Sequence, residues 1–251
     1  METIMKKTVY TGLVMMALGM GMGVVNVAHA HTYQFESTLS YWQYDIANIE
    51  FNYGMGEFIY FLKPVDTAGL PIKEAYYLTQ SSYLGARYYR DPDDSDLDGY
   101  TVGGSFWDGD FRLSLWGGDD FGDERYQADI GYQILKGLTL DLGVSKMEIS
   151  SQEQFVLGSK YVGNPWGGNY LGIRAAVAHH DGDNAFTVAA EYFLTQGLSI
   201  GAGVTAYDDD AIENSYMVES FFYFTHSIFA RGYYEEWDNN TYMGLGVGIN
   251  W

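Results

Sequence analysis

Tyr242-Met243-Gly244-Leu245-Gly246-Val247-Gly248-Ile249-Asn250-Trp251 is the stretch that decides the fold. Met243, Leu245, Val247, Ile249 and Trp251 share one parity; Tyr242, three glycines and Asn250 take the other. A β-strand sends successive side chains to opposite faces, so this stretch has one oily face and one small or polar face. Left at the edge of a soluble sheet, such a flat strand invites aggregation. The same alternation runs through Leu138-Thr139-Leu140-Asp141-Leu142-Gly143-Val144, Phe111-Arg112-Leu113-Ser114-Leu115 and Leu171-Gly172-Ile173-Arg174-Ala175.

Two architectures use this pattern. A soluble sandwich or lipocalin-like barrel turns the apolar face inward, and an outer-membrane barrel turns it toward lipid. Composition favours the second. The polar parity is rich in Gly, Ser, Thr and Asp with an Arg at intervals, and no linker or composition shift divides the chain. Aromatics are 17% of residues, Gly contributes 31 and Pro only 4, which suits long strands and tight turns. A mean hydropathy of -0.16 looks soluble, but alternation around a polar lumen averages to that value.

Strands are predicted at 32–44, 48–62, 75–90, 99–107, 110–117, 124–134, 138–149, 153–162, 169–179, 184–194, 198–207, 214–224, 228–237 and 241–251. Most reach the ~9–11 residues that a transmembrane strand needs. The expected fold is therefore all-β: a single antiparallel transmembrane barrel of about 12–14 strands, this count giving the larger even number. The pair at 99–117 and the region of Pro165 are the places where the count could fall.

The N-terminus carries Lys6 and Lys7, an apolar run from Val9 to Val27, and Ala28-His29-Ala30. That is the layout of a secretory signal peptide. Residues 1–30 are expected to be the leader and 31–251 the barrel. Four glycines within the run (12, 19, 21 and 23) make it a poor membrane-spanning helix. The formal charge is -20, and loss of Glu2, Lys6 and Lys7 makes it one unit more negative. Thirteen basic residues against that charge argue against nucleic acid as a partner. With no Cys there is no disulfide framework, thiolate metal site or Cys nucleophile.

Tyr132-Gln-Ile-Leu-Lys-Gly137-Leu-Thr-Leu-Asp-Leu-Gly143-Val144 recurs as Tyr192-Phe-Leu-Thr-Gln-Gly197-Leu-Ser-Ile-Gly-Ala-Gly203-Val204. Each copy reads as strand, tight turn, strand, with the turn on the periplasmic rim. The acidic connections around Asp119-Asp120, Asp181-Asp183, Asp208-Asp210 and Asp238-Asn240 belong on the cell surface.

A terminal aromatic after such alternation resembles the assembly signal of outer-membrane barrels, which makes Trp251 the residue expected to be read by the barrel-assembly machinery. Phe61-Leu62-Lys63-Pro64-Val65-Asp66-Thr67, followed by Gly69-Leu70-Pro71-Ile72-Lys73-Glu74-Ala75 and Leu78, resembles the connection after the second strand in a porin family of Gram-negative bacteria. The resemblance spans the mature chain and brings no catalytic residue and no named solute. It implies a small outer-membrane barrel that passes small hydrophilic solutes, as a monomer or a trimer.

If Trp251 faces lipid, the opposite parity lines the lumen. Carried through the clearest strands, this places Glu36, Glu50, Arg87, Arg112, Asp129, Asp141, Arg174, Glu191, Glu219 and Arg231 inside. An Arg or Lys on the lipid face costs about 2–4 kcal/mol at mid-depth. Mixed signs along the wall suit a hydrated pore with a transverse field; the alternative is that the charges pair and fill the lumen. Tyr88-Tyr89, Tyr233-Tyr234, Trp237 and Trp42 are expected as interface-girdle aromatics rather than sugar-stacking platforms.

Other chemistry has weaker supports. Asp94, Asp96 and Asp98, followed by Gly99, form a D-x-D-x-D-G run that could surround Ca²⁺. Counted from Asp94, the twelfth position is Ser105 rather than a bidentate Glu, and no helices flank it. A solvated acidic loop therefore fits better, and no cofactor is expected. His179 and His180 are adjacent on a strand, so only one imidazole faces any site. Thr225-His226-Ser227 is the one local Ser-His neighbourhood, in a predicted turn, so an outer-membrane hydrolase ranks behind both a porin and a closed structural or adhesive barrel. Short loops favour transport over adhesion, and the acidic excess favours cations.

Overall fold

The computed structural model describes residues 32–46, 49–91, 98–120, 123–146, 153–180, 183–208, 213–238 and 240–251. The expected leader, 1–30, lies outside them, as do Asp94 and Asp96.

The alternating segments form strands β1 (Thr32–Ile46), β2 (Ile49–Asp66), β3 (Tyr83–Arg90), β4 (Asp98–Asp108), β5 (Phe111–Asp120), β6 (Asp123–Leu135) and β7 (Leu138–Lys146). They continue as β8 (Glu153–Gly163), β9 (Leu171–His180), β10 (Asp183–Thr195), β11 (Leu198–Tyr207), β12 (Ser215–Tyr223), β13 (Ile228–Trp237) and β14 (Asn240–Asn250). Each pairs antiparallel with its sequence neighbours, and β1 pairs with β14 from Glu36↔Asn250 to Asp45↔Thr241, closing a fourteen-stranded barrel. Closure leaves no strand edge, which answers the hazard posed by the flat final strand. Residues 32 and 251 lie at one end, called here the terminal end.

The oily parity faces out. Leu39, Ile130 and Leu142 are each more than half exposed, and Leu115, Leu157, Val188, Ile200, Val247 and Trp251 share that face. Such a belt is stable only against an apolar medium. Trp251 stacks on Phe35 at 5.9 Å on this outer surface, and its carbonyl accepts the amides of both Gln34 and Phe35. A register shift between Tyr33 and Phe35 makes this possible. Phe35 turns out beside Trp251, while Tyr33 is buried within.

The repeated hairpins are β6–β7 and β10–β11. Their turns lie at the terminal end, and each has a register shift at the matching place, Gln133/Leu135 and Phe193/Thr195. Gly137 has φ +80°, a left-handed conformation, and its carbonyl accepts the Val162 amide at 2.7 Å. The strand ends at or next to Asp119, Asp183, Asp208 and Asp238 lie at the opposite end.

One predicted strand is corrected. Residues 75–82 do not extend β3: Ile72–Glu74 form a 3₁₀ turn and Ala75–Leu78 a single helical turn, α1. Pro71 supplies its fixed φ just ahead of the turn, and Thr79 closes α1 through its amide (2.9 Å) and hydroxyl (2.7 Å) on the Ala75 carbonyl. Residues 67–82 thus fold inward at the terminal end rather than lengthening the wall. Ile72 and Ala75 pack with Tyr33, Phe61, Val65, Tyr223 and Phe229, while Tyr77 and Leu78 pack with Val162 and Phe193. Ile59, Phe61 and Val65 of β2 point inward because this segment, not water, covers them.

Candidate functional site: the barrel lumen

Strand parity carries the charged residues into the lumen, and the inward segment meets them there. In strand order β2 and β3 stand across the barrel from β8–β12. The segment spans that gap. Its Ile72 amide donates to the Gln196 carbonyl at 2.9 Å. Lys73 Nζ lies 2.8 Å from Glu191 and 3.4 Å from Glu219, and Lys160 Nζ lies 2.6 Å from the buried Glu74.

The Tyr77 hydroxyl sits 2.9 Å from the Lys160 carbonyl and 3.1 Å from that of Gly137, with the Thr139 hydroxyl at 3.2 Å. Burial pushes its phenol above the ordinary value, so it stays a neutral donor. These contacts fasten the segment to the far wall.

Around it the expected lumenal charges pair. Arg87 reaches Glu57 at 2.6 Å and lies over the Trp116 ring at 4.4 Å. Arg112 reaches Asp141 at 2.7 Å and lies over Trp107. Arg174 pairs with Glu219. Asp129 accepts the Gln127 amide at 2.7 Å. Glu36 lies level with the inward segment, across from Asn250. Arg231 donates to the Ser40 hydroxyl at 3.2 Å. Among the described residues Glu36, Asp129, Glu235 and Arg231 make no ion pair.

Glu50 does not join them. The β1–β2 hairpin runs in unbroken register from Ile46↔Ile49, so Glu50 opposes Asp45 and shares the outward parity of Phe58 and Leu62. It sits exposed at the tip of β2, where water solvates it and Asn52 donates to it at 3.2 Å. Asp98 opens β4 and accepts the Tyr88 hydroxyl. Among the described residues no cluster of acids and histidines has metal-binding geometry. Thr225 Oγ1 accepts the Ser227 and Ile228 amides at 3.1 and 3.0 Å, a turn-closing role.

Toward the opposite end the lumen carries an aromatic wall. Of the expected girdle residues, Trp42, Tyr89 and Tyr233 face inward, and Tyr88 and Tyr234 face out. Trp42 and Tyr44 (β1), Tyr53 (β2), Tyr233 (β13) and Tyr242 (β14) are cross-strand neighbours. Tyr44 and Tyr242 stack at 4.1 Å, and Trp42 and Tyr242 at 4.9 Å. The hydroxyls of Tyr44, Tyr53 and Tyr242 meet at 3.4 and 3.2 Å.

The glycines of β14 make room for this wall. A Cβ at Gly244 would overlap the Trp42 ring, and one at Gly248 the Phe229 ring. At Gly246 it would stand 2.9 Å from Arg231 Nε. Beyond the wall, Asp208 accepts the Asn184 backbone amide at 2.6 Å, which holds its carboxyl below the usual range.

Sequence reasoning missed Lys73, Glu74, Lys160 and Glu57 as partners. Lys73 and Glu74 lie in a connection with no alternation to show where they point. Glu57 stands in a strand whose inward face turns apolar at Ile59 and Phe61, which blurs the parity.

A closed barrel, oily outside and charged within, has the architecture of a membrane-spanning β-barrel. The crystal structure of the Acinetobacter baumannii outer membrane protein Omp33 shares the fold at a TM-score of 0.75 and 21% identity, covering 88% of this chain and 99% of that one. A KdgM porin in complex with disordered oligogalacturonate aligns at a TM-score of 0.49 and 9% identity, covering 86% of this chain and 99% of that one. A triple mutant of the Rhodopseudomonas blastica porin aligns at 0.49 and 10%, covering 88% and 99%. No protein-family model and no curated protein matches the sequence.

Proposed function

We propose that the protein is an outer-membrane porin of a Gram-negative bacterium that passes small hydrophilic solutes, with the terminal end in the periplasm. The observation that carries this reading is the division of the wall. An oily exterior surrounds a lumen that, beyond the packed segment at the terminal end, is lined by ion pairs, hydroxyls, carboxylates and aromatic side chains, a lining suited to water and polar solutes. The barrel shared with Omp33 supports it.

Cation preference follows from Asp129 and Glu235, lumenal acids with no ion pair among the described residues, together with the overall charge of -20. The inward segment favours a second reading, a closed structural barrel, because it crosses the lumen at one end. Recordings of the detergent-extracted protein in planar bilayers separate the two. Discrete cation-selective steps are expected. A silent bilayer with correctly folded protein supports the closed barrel, and anion-selective steps overturn the charge argument.

A further inference from the structure

Arg231 differs from five other lumenal cations. Lys73, Arg87, Arg112, Lys160 and Arg174 each hold a carboxylate at 3.4 Å or less. Arg231 holds none. Its one hydrogen bond goes from Nη2 to Ser40, and its buried Nε has no acceptor. The side chain is nonetheless fixed in place. It lies along β14 over Gly246, where a Cβ would be 2.9 Å from Nε and 3.1 Å from Cγ. Ser40, which anchors it, also accepts the Trp42 indole N–H at 3.0 Å.

The surroundings define what such a group could bind. The guanidinium carbon lies 5.8 Å from the centre of the Trp42 ring. Tyr233, the next inward residue up β13, packs against Trp42 at 6.0 Å, and Tyr242 continues the wall. Phe229, the next inward residue down, belongs to the cluster that seats the inward segment. Arg231 therefore stands where the aromatic wall ends and the filled region begins. A guanidinium presents a planar fork of donors that matches a carboxylate, and a neighbouring aromatic wall matches a flat or ring-shaped body. Those two features select an acid borne on a ring.

We propose that Arg231 and Trp42 form a solute subsite that holds the carboxylate of a small ring-bearing acid, with its ring on the aromatic wall. The proposal rests on the porin reading only for the route by which the solute arrives. It does not conflict with a cation preference for simple ions, which respond to the summed lumenal field, whereas a ring acid responds to one local donor set.

The test is a titration of tryptophan fluorescence in the detergent-extracted protein, with benzoate, glucuronate and benzyl alcohol as probes. Saturable quenching by at least one of the two acids, and much weaker quenching by benzyl alcohol, is expected. Arg231→Gln should weaken the acid by about 10–100-fold, the scale of a lost charge-assisted hydrogen bond. Trp42→Phe should abolish most of the signal. Benzoate alone points to an aromatic acid and glucuronate alone to a sugar acid. Equal response to benzyl alcohol, or no saturation by either acid, overturns the proposal in the unmodified protein, whatever the folding of the variants. Because quenching needs no current, a non-conducting barrel that binds benzoate sinks the porin reading alone. A conducting barrel blind to both acids sinks this one alone.

Discussion

At the terminal end Tyr77 directs its hydroxyl at the backbone carbonyls of Lys160 and Gly137; at the other end Tyr44, Tyr53 and Tyr242 join theirs to one another. The first arrangement fastens a separate piece of chain across the lumen. The second thickens one side of the wall and leaves the barrel's own strands as its only support. The difference teaches that lumen diameter here is set by two means, an inserted segment below and large side chains above, and each can be altered without the other.

Removing the insert should have the largest effect. Replacing residues 67–80 with a short turn is expected to raise single-channel conductance several-fold in planar bilayers. Unchanged conductance would mean that the segment does not limit flow, and the contrast between the two ends would lose its functional meaning.

Next is the fastening itself. Lys160→Met leaves the Glu74 carboxylate buried without its partner and should cost about 3 kcal/mol in urea unfolding of the micelle-bound barrel. Arg174→Met, at a pair whose Arg side chain is 47% exposed, should cost under about 1 kcal/mol.

On the other side of the comparison, Gly244→Leu drives a side chain into Trp42. It should destabilise by roughly 1–3 kcal/mol while leaving the insert in place.

The smallest effects sharpen the contrast most directly. Tyr77→Phe should cost about 1 kcal/mol, since it strips a donor from buried carbonyls. Tyr44→Phe should cost a few tenths at most, because water can replace that hydroxyl at the lumen surface. Equal losses would mean the upper wall is as dry as the lower packing.

The outer surface was legible in the sequence because only one face of each strand meets hydrocarbon, and alternation reports that face directly. Leu138–Val144 and the final strand needed nothing else. The lumen was legible only in part. Parity placed Arg87, Arg112, Asp129, Asp141, Arg174, Glu191, Glu219 and Arg231 inward, but it carries no distances, so the pairings among them were invisible. It failed for Glu50 because that residue lies at the strand tip, where water removes the pressure to point a charge inward.

From residue 75 the inward segment reads as strand in the sequence. Ala75-Tyr76-Tyr77-Leu78 suits either conformation locally, and its choice is made by apolar partners distant in sequence, Phe193, Tyr223 and Phe229. Trp42, Tyr89 and Tyr233 read as lipid-interface residues because an aromatic near a strand end satisfies either side of the wall. What distinguishes them is the set of glycines opposite, and that signal was present at Gly244, Gly246 and Gly248.

Every strand pairing but one joins neighbours along the chain; the exception is the seam between β1 and β14. Hairpins can therefore form in succession at little entropic cost, and the single long-range step comes last. Lys73 and Tyr77 are expected to settle into the curling sheet before that seam zips, while the wall beside them is still open. The slow event in maturation is thus expected to be one ring closure, with the cargo of its interior already loaded.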